Sequence, residues 1–416
     1  MFRPTHAIAA HERARVLLLG AFALSGVISF SWLARVPSVR DDLGLSAVEL
    51  GGILLVGSIG ALATVFSSAT LLARFGSARV FAAGAVVMSA GFVLMGVGPS
   101  LASREVFGLG IIVNGIGGAL LNVPMNVESA RIEQAYGRAV IPHFHAAFSA
   151  GAVGGSVLGA AASSAGIPVV AQFAVVGVLV GGLRLAALAA GMVMPGAPVP
   201  SRHRAQRSDR KGGFTVWTEP RTVLIGVVAF AAALSEGAAN NWLALAFVDG
   251  FGSTEAIGGL VLGVFIGSMA VVRVLGTRVI DGLGRVASLQ LSGLFGFLGL
   301  ALFGLSSRPQ VALVGVALWG VGAALCFPIT VAAVSDDPRK APARVSVMSS
   351  MGSVAAMTAA PLVGVAAAAL GGTQHALLVV LVGMLASLAV SRRVGPSLTR
   401  VADPLEVLDA EPARAA

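Results

Sequence analysis

The segment Ala23-Leu24-Ser25, followed after six residues by Trp32-Leu33-Ala34, returns as Ala233-Leu234-Ser235, followed after six residues by Trp242-Leu243-Ala244. The copies lie 210 residues apart. Leu50-Gly51-Gly52, then Gly60, echoes Ile257-Gly258-Gly259, then Gly267. Gly115-Ile116-Gly117 echoes Gly320-Val321-Gly322, and Ser149-Ala150-Gly151 echoes Ser350-Met351-Gly352. Each match is weak alone in a chain rich in glycine, alanine and valine. Together they keep their order while the offset falls from 210 to 201, as shortening loops would make it do. A chain of two parallel halves is the simplest reading.

The chemistry of those halves is that of a membrane interior. Only 11% of the residues are charged and 56% are hydrophobic, against about 25% charged in soluble domains. Spans need about 20 apolar residues. Twelve such runs are expected, at about 15–36, 48–72, 78–98, 103–126, 143–165, 168–193, 221–247, 256–280, 286–306, 310–333, 345–369 and 375–392. The first run is too long for a signal peptide and is followed by no small-residue cleavage site, so it is read as a retained span. The fold class is therefore all-α and polytopic, with two parallel six-helix repeats. Expected boundaries are a bundle over 1–194, a basic linker over 195–220, a second bundle over 221–393 and a polar tail over 394–416. Arg202, Arg204, Arg207, Arg210, Lys211 and Gly212-Gly213 mark the linker as flexible.

A net charge of +9 could suggest nucleic acid, but the cations sit in short gaps with no stripe and no interleaved aromatics. With both termini inside, the cytoplasmic segments hold 23 of the 28 Lys and Arg residues, Arg273 included. The outer side keeps Arg35, Arg40, Arg104 and Arg308, and Arg184 lies within the sixth run. That asymmetry orients the chain N-in and C-in. One cysteine, Cys326, precludes an intrachain disulfide. Neither a catalytic constellation nor a phosphate-cradling Gly-Lys-Ser/Thr is present, so an enzyme, a resident cofactor, a metal and direct ATP drive are not expected.

Twelve spans in two sixes, N-in topology and a basic central loop resemble the major facilitator superfamily over roughly residues 14–393. That family carries a Gly-x3-Asp-Arg-x-Gly-Arg-Arg-like turn between spans two and three and again between eight and nine. The first copy here has Ala69, Ala73, Arg74, Gly76 and Arg79, so its acidic position is alanine. The second keeps Asp281, Gly284 and Arg285, after Arg273 and Arg278. The resemblance implies a charge-pair lock at this turn, with Asp281 and Arg285 as the gating candidates. Asn122-Val123-Pro124-Met125-Asn126 with Glu133, Phe144-His145-Ala146-Ala147-Phe148-Ser149, Arg35-Val36-Pro37-Ser38-Val39 and Ser235-Glu236-Gly237-Ala238 are similar to the bacterial fucose-permease-like branch. That branch implies a small polar solute and proton coupling, with spans one, four, seven and ten lining the path.

Glu236 is the foremost site candidate. It lies about fifteen residues, or about 22 Å at 1.5 Å per residue, into the seventh run. A carboxylate there costs a few kcal/mol and faces a cavity or a partner; a group that gains and loses a proton suits coupling. The alternatives are a hydrogen bond to a helix or an ion pair with a buried arginine. Asn240, one turn on, shares its face. Ser25, Ser29, Trp32, Asn114, Asn122 and Trp319 are the further lining candidates, the tryptophans as stacking surfaces, with a membrane-interface anchor as the alternative for Trp32. His145 is a candidate proton relay or a polar anchor. Arg184 is expected to snorkel to the surface rather than bind an anion. Gly151, Gly155, Gly159 and Ser163 form a small-residue stripe that serves static packing or sliding between the halves.

The sequence thus points to a secondary transporter working by alternating access, coupled to protons and carrying a sugar-like or other small polar solute. Proton-driven efflux of a drug or metabolite is the alternative, and a non-transporting receptor on the same fold is the alternative of another class. The expected partners are the solute, protons and the bilayer, without nucleic acid, and the chain is expected to act as a monomer.

Overall fold

The computed structural model describes residues 4–138, 140–193, 215–337 and 340–395. Regular structure among them is helical throughout. Eleven helical stretches are long and apolar enough to cross a bilayer, and one of these, Ala47–Ser100, has 54 residues. Straight, it would run about 80 Å, against a hydrocarbon core of about 30 Å. It is two spans reversed at Gly76, whose φ of 78° and ψ of 161° leave the helical region. A positive φ with an extended ψ is open essentially only to glycine. Packing on the next helix confirms the reversal. Gly57 lies against Ile111 and Gly60 against Ile116, so that pair runs parallel, whereas Gly84 meets Leu121 and Gly98 meets Phe107, so that pair runs antiparallel.

Twelve crossings result, labelled α1 (Pro4–Leu33), α2 (47–75), α3 (77–100), α4 (Arg104–Tyr136), α5 (Ile141–Ser164), α6 (Val169–Ala189), α7 (Pro220–Phe251), α8 (255–283), α9 (285–305), α10 (Pro309–Val334), α11 (Ala341–Leu370) and α12 (Thr373–Val394). A short helix, Val36–Asp42, follows α1. Hydroxyl caps start α2, α4 and α8 at Ser46, Ser103 and Thr254, each accepting a backbone N–H of the first turn. Part of the expected linker, Thr215–Thr218, forms a 3-10 turn. The linker's last two residues, Glu219 and Pro220, cap and open α7, while 195–214 and the tail beyond Gly395 lie outside the described residues.

The duplication is structural as well as sequential. Gly284 repeats the Gly76 backbone, with φ 76° and ψ 163°. Gly115 packs on the carbonyl of Gly57 and Gly320 on that of Phe265. Gly117 abuts the backbone of Met88 and Gly322 that of Gly296. In both halves the fourth helix of the six is wedged by glycine against the second and third. The turn at Gly76 survives although its acidic neighbour has become Ala73, so backbone geometry is kept where the charge is lost.

An even number of crossings brings both ends of the described chain to one side, here the termini end. At the opposite, far end the halves touch closely. Gly51 lies against the carbonyl of Ala360, and Gly364 against that of Ala47, joining α2 to α11. Between α5 and α8 the gap widens along the pair. A Cβ on Gly259 would meet Ala34 at 3.0 Å and Ala160 at 3.3 Å, one on Gly263 would meet Ser156 at 3.4 Å, and one on Gly267 would meet Val153 at 3.9 Å. The helices part towards the termini end, so the halves close at the far end and splay at the other.

Candidate functional site

Glu236 lies midway along the 32 residues of α7, and Arg273 lies within α8. Arg273 Nη2 donates to Glu236 Oε2 at 3.0 Å, and its Nε donates to the carbonyl of Ala324 on α10 at 3.3 Å. Three helices of the second half therefore converge on one ion pair. Each partner keeps about a third of its side chain exposed, 33% for Glu236 and 32% for Arg273. A deep but accessible pair is the arrangement expected of a group that faces a pathway. His145 on α5 of the first half lies within electrostatic range of Arg273 and is exposed. Its ring sits edge-on to Phe22, 5.9 Å between centroids.

The other candidates divide by environment. Asn240 is half-buried, with an enclosed Oδ1 that has no partner; Asn114 is half-buried, with an enclosed Nδ2 in the same state. Asn122 is exposed and accepts from Asn126 Nδ2 through its carbonyl at 2.8 Å and its Oδ1 at 3.0 Å. Ser29 is half-buried. Ser25 Oγ is already engaged, donating to the Ala21 carbonyl at 3.0 Å and accepting from Arg184 Nη2 at 2.8 Å. Trp319 is fully buried, its Nε1 donating to Ser235 Oγ at 2.8 Å and its ring packed on Phe265. Trp32 is buried in the core. In this conformation neither tryptophan offers a face to a solute, because the packing of the bundle consumes both.

Arg184 does not snorkel. It is 0% exposed and also donates to Met88 Sδ at 3.2 Å, while its Nε is enclosed without a partner. Gly181 and Gln172 of α6 correspond to Gly383 and Gln374 of α12, which sets Ala386 at the register of Arg184. Ala386 is exposed, so the second half carries no buried cation at that register; nearby it holds a cavity of about 20 Å³, lined among others by Ser235, Ser292, Cys326 and Ser387, with room for about one water. The glycine stripe faces inward as well. A Cβ on Gly151, Gly155 or Gly159 would strike the carbonyls of Ala23, Val27 or Ser31 on α1 at 2.0, 2.5 and 2.6 Å. Those glycines serve static packing within the first half; only Ser163, at the end of the stripe, crosses to the second.

That crossing belongs to a cluster the sequence did not reveal. Glu255, at the start of α8, receives Ser38 N–H on Oε1 at 2.8 Å, and Ser38 Oγ and Ser163 Oγ on Oε2, each at 2.7 Å. Arg35 Nε lies 2.9 Å from the same Oε2, while its Nη1 donates to Gln172 Oε1 at 2.8 Å and to the Ile167 carbonyl at 3.1 Å. Arg35 is only 4% exposed. Arg40 adds a second pair across the halves, 2.5 Å from Asp249.

At the termini end the turn expected to gate is only half engaged. Arg285 pairs with Asp336 at 2.5 Å, and Arg221 with the same carboxylate at 2.8 Å. Asp281 is exposed and has no hydrogen bond or ion pair among the described residues. Burial raises the Asp336 carboxyl, but the two guanidinium groups outweigh it and hold the group below its usual range. Arg344, hydrogen-bonded to Glu219, lowers that carboxyl to about 2.

A twelve-span bundle of two like halves, with an accessible ion pair at mid-depth in the second, has the build of a membrane transporter. Residues 17–360 match the Major Facilitator Superfamily, and the chain belongs to that superfamily of secondary transporters. It is 26% identical over 316 residues to the uncharacterized transporter y4wD of Sinorhizobium fredii, covering 76% of this chain and 81% of that one. A crystal structure of the D323A mutant of the nucleoside transporter NupG superposes with a TM-score of 0.72 at 13% identity, covering 92% and 98% of the two chains. The transporter FucP in the outward conformation gives 0.62 at 14%, covering 91% and 98%. These structures share the fold.

Proposed function

We propose that this chain couples a small polar solute to protons by alternating access, with the Glu236–Arg273 pair as the coupling site. The carrying observation is that pair, at mid-helix and one-third open although deep in the bundle. Protonation of Glu236 would free Arg273 and so change what the site holds. The sequence features of the fucose-permease-like branch support a polar solute, and a fucose:proton symporter, FucP, has the same fold. The distribution of Lys and Arg supports N-in, C-in placement in a bacterial inner membrane, which makes the splayed end cytoplasmic and this conformation inward-facing. Asn114, Asn122 and Asn240 would supply hydrogen bonds, and His145 a route for the proton towards the cytoplasm.

The test is transport in proteoliposomes loaded with a cell metabolite extract, with an imposed pH gradient. Wild type should redistribute solute with the gradient, and Glu236→Gln should move the same solute only downhill. Unchanged uphill transport in Glu236→Gln would remove the proton role.

A further inference from the structure

Two largely buried ion pairs, Glu128–Arg131 and Arg35–Glu255, cancel within themselves; Glu236, Arg273 and Arg184 together do not. Arg273 is matched by Glu236. Arg184, fully buried, is hydrogen-bonded to a serine and a methionine sulfur and to no carboxylate. These three groups sum to one positive charge with Glu236 ionised and to two with it protonated. Among the described residues Glu236 forms no ion pair other than that with Arg273. Around it α11 presents Ala356 and Ala359 to Gly237, α10 presents Trp319 to Ser235, and α12 presents Gly383 to Ala231 and Leu234. On the facing half the titratable group near the pair is His145, beside Arg273. A cationic solute would meet the unmatched cation of Arg273 once Glu236 is protonated. A neutral one would leave Arg273, two-thirds buried, without a carboxylate whenever Glu236 takes a proton, and losing the partner of a partly buried charge is costly.

Building on the proton role proposed above, we infer that the solute is a monovalent organic anion whose carboxylate replaces that of Glu236 on Arg273 when Glu236 is protonated. The exchange balances. Glu236 gains one proton and becomes neutral, the solute brings one negative charge, and Arg273 remains a cation with one carboxylate partner throughout. Proton and solute therefore bind together, because either alone leaves a charge unmatched, and their joint movement carries no net charge. A planar guanidinium suits a carboxylate through two parallel N–H donors. The enclosed acceptor of Asn240 and donor of Asn114 are suited to hydroxyl groups on the same molecule.

The experiment uses the purified full chain and two matched probe sets: gluconate, glucose and glucosamine; lactate, 1,2-propanediol and 1-amino-2-propanol. Melting temperature is followed at about pH 5.5 and pH 8. At least one carboxylate should stabilise the wild type, with an affinity roughly ten- to a hundredfold higher at the acid pH, while its neutral and amino counterparts do not. Arg273→Gln should abolish the effect and Arg273→Lys retain part of it. In Glu236→Gln the carboxylate should bind equally well at both pH values. Should Arg273→Gln fail to fold, the double variant Glu236→Gln/Arg273→Gln, which leaves no unpaired charge, should fold and bind no carboxylate. Stabilisation by the neutral or amino members, or by none of the six, overturns the anion assignment even if Glu236→Gln abolishes uphill transport. Carboxylate binding that is independent of pH in the wild type overturns the exchange and the proton role, while leaving the anion as substrate.

Discussion

The two ends of the bundle spend similar charges on different tasks. At the far end Arg35 and Arg40 of the first half reach Glu255 and Asp249 of the second. At the termini end Arg344 holds Glu219, and Arg285 and Arg221 hold Asp336, all within the second half. The first kind of pair must break before the halves can part at that end. The second survives any tilt of one half against the other and only stiffens the helix ends it joins. Whether a salt bridge gates depends on whether it crosses the halves, not on how many charges it gathers.

The largest expected effect comes from the far end. Arg35→Ala leaves Glu255 buried beside two hydroxyls without its cation, at a cost of about 3–5 kcal/mol. Melting temperature should fall, and far-end cysteines should become open to membrane-impermeant reagents. Arg35→Ala/Glu255→Ala should recover much of the melting temperature while the far end stays open. Next comes packing inside one half. Gly151→Val drives a side chain into the Ala23 carbonyl and should cost about 1–3 kcal/mol, read as lost thermal stability with no bias between the two ends.

A smaller effect is expected at Glu219. Glu219→Gln should lower stability by about 1 kcal/mol in a chemical-denaturation series, since the pair is partly open to solvent. Its folded carboxyl, at about 2, lies below the unfolded value of about 4.3. The stabilisation is therefore complete above about pH 4.3 and is lost only as pH falls towards 2. The difference between variant and wild type should stay flat between pH 5 and 8, which separates this structural pair from a coupling site. Smallest is Asp281→Asn, which removes an exposed carboxylate with no partner here. It should change stability by less than about 0.5 kcal/mol and act, if the turn locks the opposite conformation, on transport rate alone.

The fold was legible because a bilayer permits so little else: each crossing needs a long apolar helix with its backbone bonds satisfied internally. The seventh run, read as 221–247, is Pro220–Phe251 in the structure, and glycines stand at both hairpin turns. Glu236 stood out as an acid inside an apolar run. Arg273 gave the same signal, set between Val271-Val272 and Val274-Leu275, but was counted with the loop cations because a turn follows soon after. Arg35 and Glu255 gave none: charges at helix boundaries are ordinary, and their pairing exists only through the tilt of one half on the other. The glycine stripe was visible, but its partner was not, since small residues announce close approach without naming the neighbour.

Alternating closure is tested most directly by paired spin labels in a Cys326→Ala background, one pair at Val48 and Val365 of the far end and one at Ser67 and Ser346 of the other. At neutral pH the first pair should be close and the second apart. Acidification with gluconate or lactate present should lengthen the first distance and shorten the second in the same molecules, and Arg35→Ala should do so without either. Distances that rise or fall together, or a far end that stays closed under every condition, would contradict the mechanism.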